Sequence, residues 1–307
     1  MHRPEDKLRI RAQTAEHIRR FFADRAVLEV MTPAITEHGV TDPHIESIAL
    51  AGRANPHPAY LRTSPEYFHK RLLANGSGDI YELGPVFRGG EHGRHHRAEF
   101  SMLEWYRLGF GWRELADEVI ELIQCLSPKP WQVEYRSWLS ISQTDLGIDA
   151  SQADLATLHA ALGDRIQQAP LDHDHSELLD WWFATQIQPT FQAETLTVVF
   201  DYPAAQAALA RLCPNRPGWA ERFEIFAGPL ELANGYGELT DAAELQKRFE
   251  GDNRRRLELG LPEMPLDPDF ITAMESGLPD CAGVAMGFER LLMAINRRPT
   301  IDDVSLV

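Results

Sequence analysis

A strand of small residues that runs straight into an apolar helix constrains this chain more than any other segment. Residues 283–287 read Gly-Val-Ala-Met-Gly, and a helical pattern follows at once. Because residues two apart in a strand share a face, Gly283, Ala285 and Gly287 predict a floor almost free of side chains, where a flat ligand could contact backbone. Arg290 falls in the first helical turn, a position that favours an anion such as a triphosphate. Close packing of small residues is the alternative interpretation.

A predicted hairpin with an extended tip supplies a second set of polar residues. Two strand-like segments, residues 80–87 and 100–108, flank a polar, glycine-rich loop. In the second strand Glu104 and Tyr106 share a face and would give a carboxylate and a phenol to one pocket. Arg88 ends the first strand and could neutralise a phosphate. A structural ion pair between Arg88 and Glu104 is the alternative.

A second predicted hairpin carries two glutamates suited to a divalent cation. If Gly228-Pro229 forms a two-residue turn, Glu224 and Glu231 lie diagonally on one face. Two carboxylates on one face suit Mg²⁺, which prefers oxygen ligands, whereas simple solvent exposure is the alternative. Strict alternation sends Asn234 to the opposite face, so its participation in the same site predicts a bend or bulge near Asn234-Gly235.

Composition excludes several classes of protein. The 307 residues include 46 acidic and 30 basic side chains, a net charge of −16, which disfavours general tRNA binding because gripping phosphates needs a basic face. The N-terminus is polar and no long apolar run occurs, so we expect a cytoplasmic, non-membrane protein. Three widely spaced cysteines indicate buried free thiols in a reducing cytosol. No linker divides the sequence, and residues 1–307 predict one large domain.

Three segments, in their order along the chain, resemble motifs 1, 2 and 3 of the class II aminoacyl-tRNA synthetases. The first is a helix over residues 8–25, then a strand over residues 26–30 that stops before Pro33. The second is Phe87-Arg88 with its loop, and the third is residues 287–290, Gly-Phe-Glu-Arg. The order of these pieces is more informative than any one of them.

Other segments resemble the lysine-specific subgroup of that class. They are residues 63–66 (Thr-Ser-Pro-Glu), residues 99–106 and residues 231–241. Over nearly its whole length the chain is most similar to the elongation factor P β-lysine ligases, truncated paralogues of lysyl-tRNA synthetase. Ala285 stands where lysyl-tRNA synthetases usually have glycine, and alanine there is similar to the β-lysine ligases. This substitution favours a β-amino acid as substrate.

The resemblance implies an α+β fold, the class II synthetase catalytic domain, with a mainly antiparallel sheet flanked by helices. It implies a homodimer and no anticodon-binding domain. It also implies a ligase that uses ATP and Mg²⁺ to activate (R)-β-lysine, or lysine, and passes it to a lysine of elongation factor P. One alternative is a related enzyme that releases free lysyl-adenylate or charges a small carrier. The other is a catalytically degenerate paralogue that binds a ligand as a regulator.

The resemblance also implies roles for individual residues. Arg88 and Arg290 would be catalytic, on the α- and γ-phosphates, and Glu224 and Glu231 would hold Mg²⁺. The residues implied to bind ATP are Arg88, Glu91, His96, Phe100 and Arg290. The residues implied to bind the amino acid are Ser64, Glu66, Glu104, Tyr106, Asn234, Glu238 and Ala285. An excess of carboxylates in that set suits a substrate with two ammonium groups.

The second motif departs from its usual pattern. The motif normally has a glutamate two residues after the arginine, where it contacts the adenine amino group, but here Gly89-Gly90 follows Arg88. The next residue is Glu91. We hypothesise that Glu91 substitutes for the usual glutamate through a one-residue shift of this glycine-containing loop.

Overall fold

The helices surround a large sheet. The computed structural model describes residues 4–51, 58–170 and 173–306. Its α-helices are α1 (Pro4–Ala23), α2 (Glu66–Ala74), α3 (Trp112–Leu126), α4 (Trp138–Asp145), α5 (Leu155–Leu162), α6 (His175–Trp182), α7 (Ala242–Glu258), α8 (Pro268–Gly277) and α9 (Phe288–Ile295). Side chains cap several of them, as where the Asp241 carboxylate accepts from the first amides of α7. Among the helices of these residues, none is both long and apolar enough to cross a lipid bilayer.

The strands form one eight-stranded sheet and one short hairpin. They are β1 (Leu28–Glu29), β2 (Ile35–Thr36), β3 (Tyr60–Leu61), β4 (Ile80–Phe87), β5 (Glu99–Leu108), β6 (Gln132–Ser137), β7 (Thr195–Pro203), β8 (Trp219–Ala227), β9 (Leu230–Gly237) and β10 (Cys281–Gly287). The order in the large sheet is β1-β4-β5-β10-β9-β8-β7-β6, and β2 pairs with β3. Only the outermost pairs, β1 with β4 and β6 with β7, are parallel within this sheet. The predicted α+β architecture with a mainly antiparallel sheet is confirmed.

The two faces of the large sheet have different roles. On one face α1, α3 and α9 bury an apolar core that includes Trp105 of β5 and Met286 of β10. Successive residues of a strand face opposite sides of the sheet. The side chains of Glu104 and Tyr106 in β5 therefore lie on the opposite face, together with Gly283 and Ala285 of β10. That opposite face is left open as a cleft.

Two further apolar clusters support the rim of the cleft. One joins α4, α5 and α6 to β7 and β8 around the fully buried Trp138 and Trp182. The other joins α2, α7 and α8 behind Tyr106. The predicted buried thiols are confirmed for Cys213 and Cys281, whereas Cys125 is exposed near the end of α3, and all three are free.

Most of the predicted elements are present, and their limits differ in informative ways. The predicted hairpin strands over residues 80–87 and 100–108 correspond to β4 and β5. The predicted start of the first-motif strand at residue 26 was wrong. Ala26 has a positive φ of 55° and the chain turns there, so β1 begins only at Leu28. A residue in that left-handed conformation interrupts the extended geometry of a strand.

Candidate active site

The open face of the sheet carries a cavity of about 500 Å³. Thirteen of the fourteen predicted site residues line it, although they come from four separate segments of the chain. These residues are Ser64, Glu66, Arg88, Glu91, His96, Phe100, Glu104, Tyr106, Glu231, Asn234, Glu238, Ala285 and Arg290. Glu224 is not part of the lining.

The floor of the cleft is the predicted strand of small residues, β10. At Gly283 a Cβ atom would come within 2.3 Å of both the Tyr106 ring and Glu238 Oε1, so glycine is required there by close packing. At Gly287 the nearest side chain is that of Arg290, at 3.6 Å, so that end of the floor is open. Four residues of strand separate these positions by roughly 13 Å. The cleft therefore has a carboxylate end at Gly283, formed by Glu66, Glu104 and Glu238, and an arginine end at Gly287, formed by Arg88, Arg290 and His96.

Glu104 lies deepest at the carboxylate end. Its Oε2 accepts a 2.8 Å hydrogen bond from the Ser64 hydroxyl, and its Oε1 accepts one of 3.0 Å from the Tyr106 hydroxyl. The side chain is buried, and burial, followed by the charge of Glu66, raises its pKa to about 8. A cation that arrives beside Glu104 would favour its ionised form.

Lys70, which sequence reasoning missed, joins the other two carboxylates. Its Nζ lies 2.6 Å from Glu66 Oε1 and 2.7 Å from Glu238 Oε2, and only 1% of its side chain is exposed. Glu66 and Lys70 are four residues apart on α2 and so share a helix face. That spacing was the one signal in the sequence, and it did not point to Glu238.

A buried network lies behind the carboxylate end and joins it to the first motif. The Thr32 hydroxyl donates to Glu82 at 2.6 Å, and Arg62 pairs with the same carboxylate at 2.8 Å. His69 contacts Glu82 through Nε2 at 3.1 Å and faces Glu104 through Nδ1 at 3.6 Å. Burial alone would raise the pKa of Glu82, but hydrogen bonds from His69, Arg62 and Thr32 lower it to about 2. Burial lowers the pKa of His69, and its Nδ1 atom has no hydrogen-bond partner among the described residues.

At the arginine end Arg88 is held without a carboxylate partner among the described ion pairs. Its Nε donates to the Thr63 carbonyl at 3.4 Å, and its guanidinium lies 5.4 Å from the centre of the Phe100 ring. Glu104 instead bonds to Ser64 and Tyr106, so the alternative of an Arg88–Glu104 ion pair is wrong. The guanidinium of Arg88 faces the cleft and can accept an anion.

Arg290 lies opposite, in the first turn of α9. It donates to the Glu231 carbonyl at 3.2 Å and to Glu231 Oε2 at 3.3 Å, and it contacts His96 Nε2. Burial, followed by the charge of Arg290, lowers the pKa of His96, so this imidazole is neutral near pH 7. Glu91 lies beside it, with Oε2 3.8 Å from His96 Nε2.

The hairpin of β8 and β9 has the predicted register at its turn. Phe226 pairs with Glu231 and Gly228 has a positive φ of 56°, as a two-residue turn requires. Beyond the turn the register shifts, with Leu232 as the extra residue, so that Asn234 pairs with Glu224. The predicted irregularity is therefore present, but it lies two residues before Asn234 instead of at Asn234-Gly235.

Glu224 lies outside the lining of the cleft, in an ion pair that sequence reasoning missed. The partly buried Arg222 contacts Glu224 at 2.6 Å and donates to Asn234 Oδ1 at 3.3 Å. Burial raises the pKa of Glu224, Arg222 opposes that change, and the negative charge of Glu231 adds to it. No group of three or more His, Cys, Asp or Glu side chains placed to hold a metal occurs within the described ranges. The carboxylates of Glu224 and Glu231 and the amide oxygen of Asn234 are nevertheless hard oxygen donors. Such donors bind Mg²⁺ when phosphate and water oxygens complete its coordination.

Comparison with known proteins agrees with this geometry. The family model for class II tRNA synthetases of the aspartate, lysine and asparagine type matches residues 2–307. An elongation factor P–(R)-β-lysine ligase of Vibrio vulnificus strain YJ016 is 42% identical over 307 residues, which covers 98% of this chain and 94% of that protein. The chain belongs to the class II tRNA synthetases and, within them, to the elongation factor P–(R)-β-lysine ligase family.

Two further relatives show the same coverage. The proteins of this name from Vibrio cholerae serotype O1 and from Mannheimia succiniciproducens are each 42% identical to this chain. The matches cover 97% and 98% of the chain, and 94% of each relative. The similarity therefore includes both ends of the cleft and the elements that carry them.

Packing against another segment of the chain explains why glycines occupy positions 89 and 90 of the second motif. The carboxyl group of Glu46 lies over Gly89, where a Cβ atom would come within 2.5 Å of its carboxyl carbon. Gly90 has a positive φ of 69°, a conformation that glutamate rarely adopts. The backbones of Glu46 and Gly89 also form an antiparallel bridge. Another segment of the chain therefore occupies the space beside the second motif.

Proposed function

We propose that this chain uses ATP to activate (R)-β-lysine as an acyl-adenylate and transfers the acyl group to a lysine side chain of elongation factor P. The observation that carries the proposal is a single cleft with three carboxylates at the Gly283 end of its floor and two arginines at the Gly287 end, positions that roughly 13 Å of strand separate. This separation of charge matches a diamino acid at one end and a triphosphate at the other. The names of the relatives support both the amino acid and the acceptor.

The carboxylate end would bind the two ammonium groups of the amino acid. Glu66, Glu104 and Glu238 all face the cleft, and Asn234 adds an amide oxygen. Held there, the substrate would direct its own carboxylate along the floor past Ala285 towards the arginine end. The methyl group of Ala285 narrows the floor midway, which supports selection of a β-amino acid over an α-amino acid.

The arginine end would bind the phosphates while the first reaction occurs. A carboxylate oxygen of the amino acid attacks the α-phosphorus, the bond to the bridging oxygen breaks, and pyrophosphate leaves with that electron pair. Arg88 would stabilise charge on the α-phosphate, Arg290 and His96 would contact the leaving phosphates, and Phe100 would stack on the adenine. Glu224 and Glu231 would hold Mg²⁺, which supplies further positive charge when bound.

In the second reaction the neutral amine of the acceptor lysine attacks the acyl carbon. An amide bond forms, the acyl–oxygen bond breaks, and AMP leaves. The carboxylate end is buried while the arginine end is partly open, so the acceptor would approach from the arginine end. The alternative of a degenerate regulator is not favoured, because Arg88, Glu224, Glu231 and Arg290 are all present.

Amino-acid-dependent exchange of pyrophosphate into ATP tests the first reaction. We expect exchange to be fastest with (R)-β-lysine, slower with L-α-lysine and absent without amino acid. Addition of elongation factor P with radiolabelled β-lysine then tests the acceptor, with tRNA and a small carrier protein as comparisons. Lack of exchange with either diamino acid would overturn the proposal, and labelling of the carrier alone would reassign the acceptor.

We also propose a homodimer formed through the first motif. Met31 is 94% exposed, and Leu28 and Ile35 beside it are each more than half exposed. Leu28 belongs to β1, an edge strand of the large sheet. Sedimentation velocity tests the proposal: the unmodified chain should sediment as a dimer and Met31→Glu as a monomer.

Three remaining proposals concern the organisation and setting of the enzyme. We propose that the described residues form one catalytic domain, because their strands all belong to the large sheet or to the β2–β3 hairpin. The net charge of −16 supports the absence of general tRNA binding. The three free thiols are compatible with a location in the reducing cytoplasm.

A further inference from the structure

Lys70 is a buried ammonium placed directly behind the carboxylate end. It contacts Glu66 Oε1 and Glu238 Oε2 at 2.6 and 2.7 Å, and these carboxylates come from different elements, α2 and the residue after β9. Both glutamates line the cleft, whereas Lys70 does not. The ammonium group therefore acts on anything in the cleft through the two carboxylates.

This arrangement fixes which oxygen of each carboxylate faces the cleft. Glu238 gives Oε2 to Lys70, and its Oε1 points over the floor, 2.3 Å from where a Cβ atom on Gly283 would lie. Glu66 gives Oε1 to Lys70, while its backbone amide is held at 3.0 Å by the Ser64 hydroxyl. The terminal torsion of a glutamate is broad when nothing holds it. Lys70 removes that freedom from both side chains at once.

Lys70 also sets the charge of the carboxylate end. Glu66, Glu104 and Glu238 carry three negative charges when ionised, and the single ammonium of Lys70 leaves two for the ligand to neutralise. Without Lys70, burial would favour the protonated forms of Glu104 and Glu238, because the charge of Lys70 lowers the pKa of both. Burial already raises the pKa of Glu238 to about 7, and the charge of Lys70 is the main influence against that rise. Protonated carboxylates would be poorer partners for ammonium groups.

We infer that Lys70 is a positioning residue for the amino acid. Its ammonium group holds one oxygen each of Glu66 and Glu238 and so orients their other oxygens towards the cleft. It also limits the pocket to substrates with two ammonium groups. The inference deepens the proposed function and rests on it. It assigns to Lys70 an effect on the binding of the amino acid and none on the binding of ATP, because the arginine end lies about 13 Å away along the floor.

The test is chemical rescue of Lys70→Ala in pyrophosphate exchange. We expect the KM for (R)-β-lysine to rise about 100-fold, since removing one partner of a buried ion pair is severe, and the KM for ATP to stay within about threefold. Propylammonium should restore much of the loss by replacing the missing ammonium, whereas 1-propanol, similar in size but uncharged, should not. Arg71→Ala, on the exposed side of the same helix, is the matched control and should leave both KM values unchanged.

A second variant keeps the inference open to contradiction if Lys70→Ala does not fold. Lys70→Gln keeps hydrogen-bonding capacity without charge, and its folding is checked by thermal unfolding and by ATP binding. A folded Lys70→Gln with an unchanged KM for the amino acid would overturn the inference, as would equal rescue of Lys70→Ala by 1-propanol, which indicates cavity filling. Lack of exchange by the unmodified enzyme would instead overturn the proposed function.

Discussion

The two ends of the cleft share one floor and differ in almost every other respect. At the carboxylate end Glu104 and Lys70 are nearly completely buried, and each carboxylate has fixed partners. At the arginine end the side chains of Arg290 and His96 contact each other directly and are 21% and 43% exposed. Selecting an amino acid needs desolvated, oriented charges, whereas pyrophosphate must leave and an acceptor must enter. The buried carboxylate end therefore suits selection of the amino acid, and the more exposed arginine end suits release of pyrophosphate and entry of the acceptor.

The largest effect should come from the arginine end and should not depend on the amino acid. Arg290→Ala removes a guanidinium that would stabilise charge on the leaving phosphates, so we expect the rate of pyrophosphate exchange to fall about 100- to 1,000-fold. The fall should be equal for (R)-β-lysine and L-α-lysine. Arg254→Ala, an exposed arginine on α7, is the control. A fall that differed between the two amino acids would show that the two ends are not independent.

Burial of the carboxylate end should appear as a pH dependence of stability. The folded pKa of Glu104, about 8, lies above the value of about 4.3 for an unfolded glutamate, so the native state holds this proton more tightly. Its stabilising contribution is complete below about pH 4 and is lost as the pH rises to about 8. Between about pH 5 and pH 9 we expect the free energy of unfolding to fall by roughly 2 to 4 kcal/mol more in the unmodified chain than in Glu104→Gln.

Denaturant unfolding at several pH values measures this difference. Glu263→Gln, at an exposed glutamate, should keep the pH dependence of the unmodified chain. Parallel curves for Glu104→Gln and the unmodified chain would contradict the assignment of the proton to Glu104.

Matched glycine substitutions should distinguish the two ends of the floor. Gly283→Ala places a methyl group against Tyr106 and Glu238, so we expect a loss of about 1 to 3 kcal/mol in stability and weaker binding of the amino acid. Gly287→Ala has room against the protein and should leave stability nearly unchanged while it raises the KM for ATP. Thermal unfolding and both KM values measure the contrast. Equal destabilisation by the two variants would contradict the predicted difference between the two ends of the floor.

The smallest effect concerns Glu91. If this residue contacts the adenine amino group, Glu91→Ala should raise the KM for ATP about fivefold, the size expected for one hydrogen bond at a partly exposed site. GTP, which has no amino group at that ring position, should be used equally well by both enzymes. An unchanged KM for ATP would leave Glu91 as a partner of His96 alone.

Local patterns were sufficient to predict much of the site. Alternation along β10 predicted a floor of small residues, and alternation along β5 placed Glu104 and Tyr106 together. The two-residue turn at Gly228-Pro229 fixed the register near Glu231. These predictions succeeded because strand periodicity and turn geometry depend on neighbouring residues in the chain.

The sequence by itself determined the strands, the floor and, through its ordered motifs, the family. Only the tertiary structure decided that Lys70 reaches Glu238 and that the bulge lies at Leu232. These features join elements distant in the chain or depend on how β9 fits between its neighbours. A buried charge is stable only where oppositely charged partners converge on it, and that convergence is a property of the packed fold.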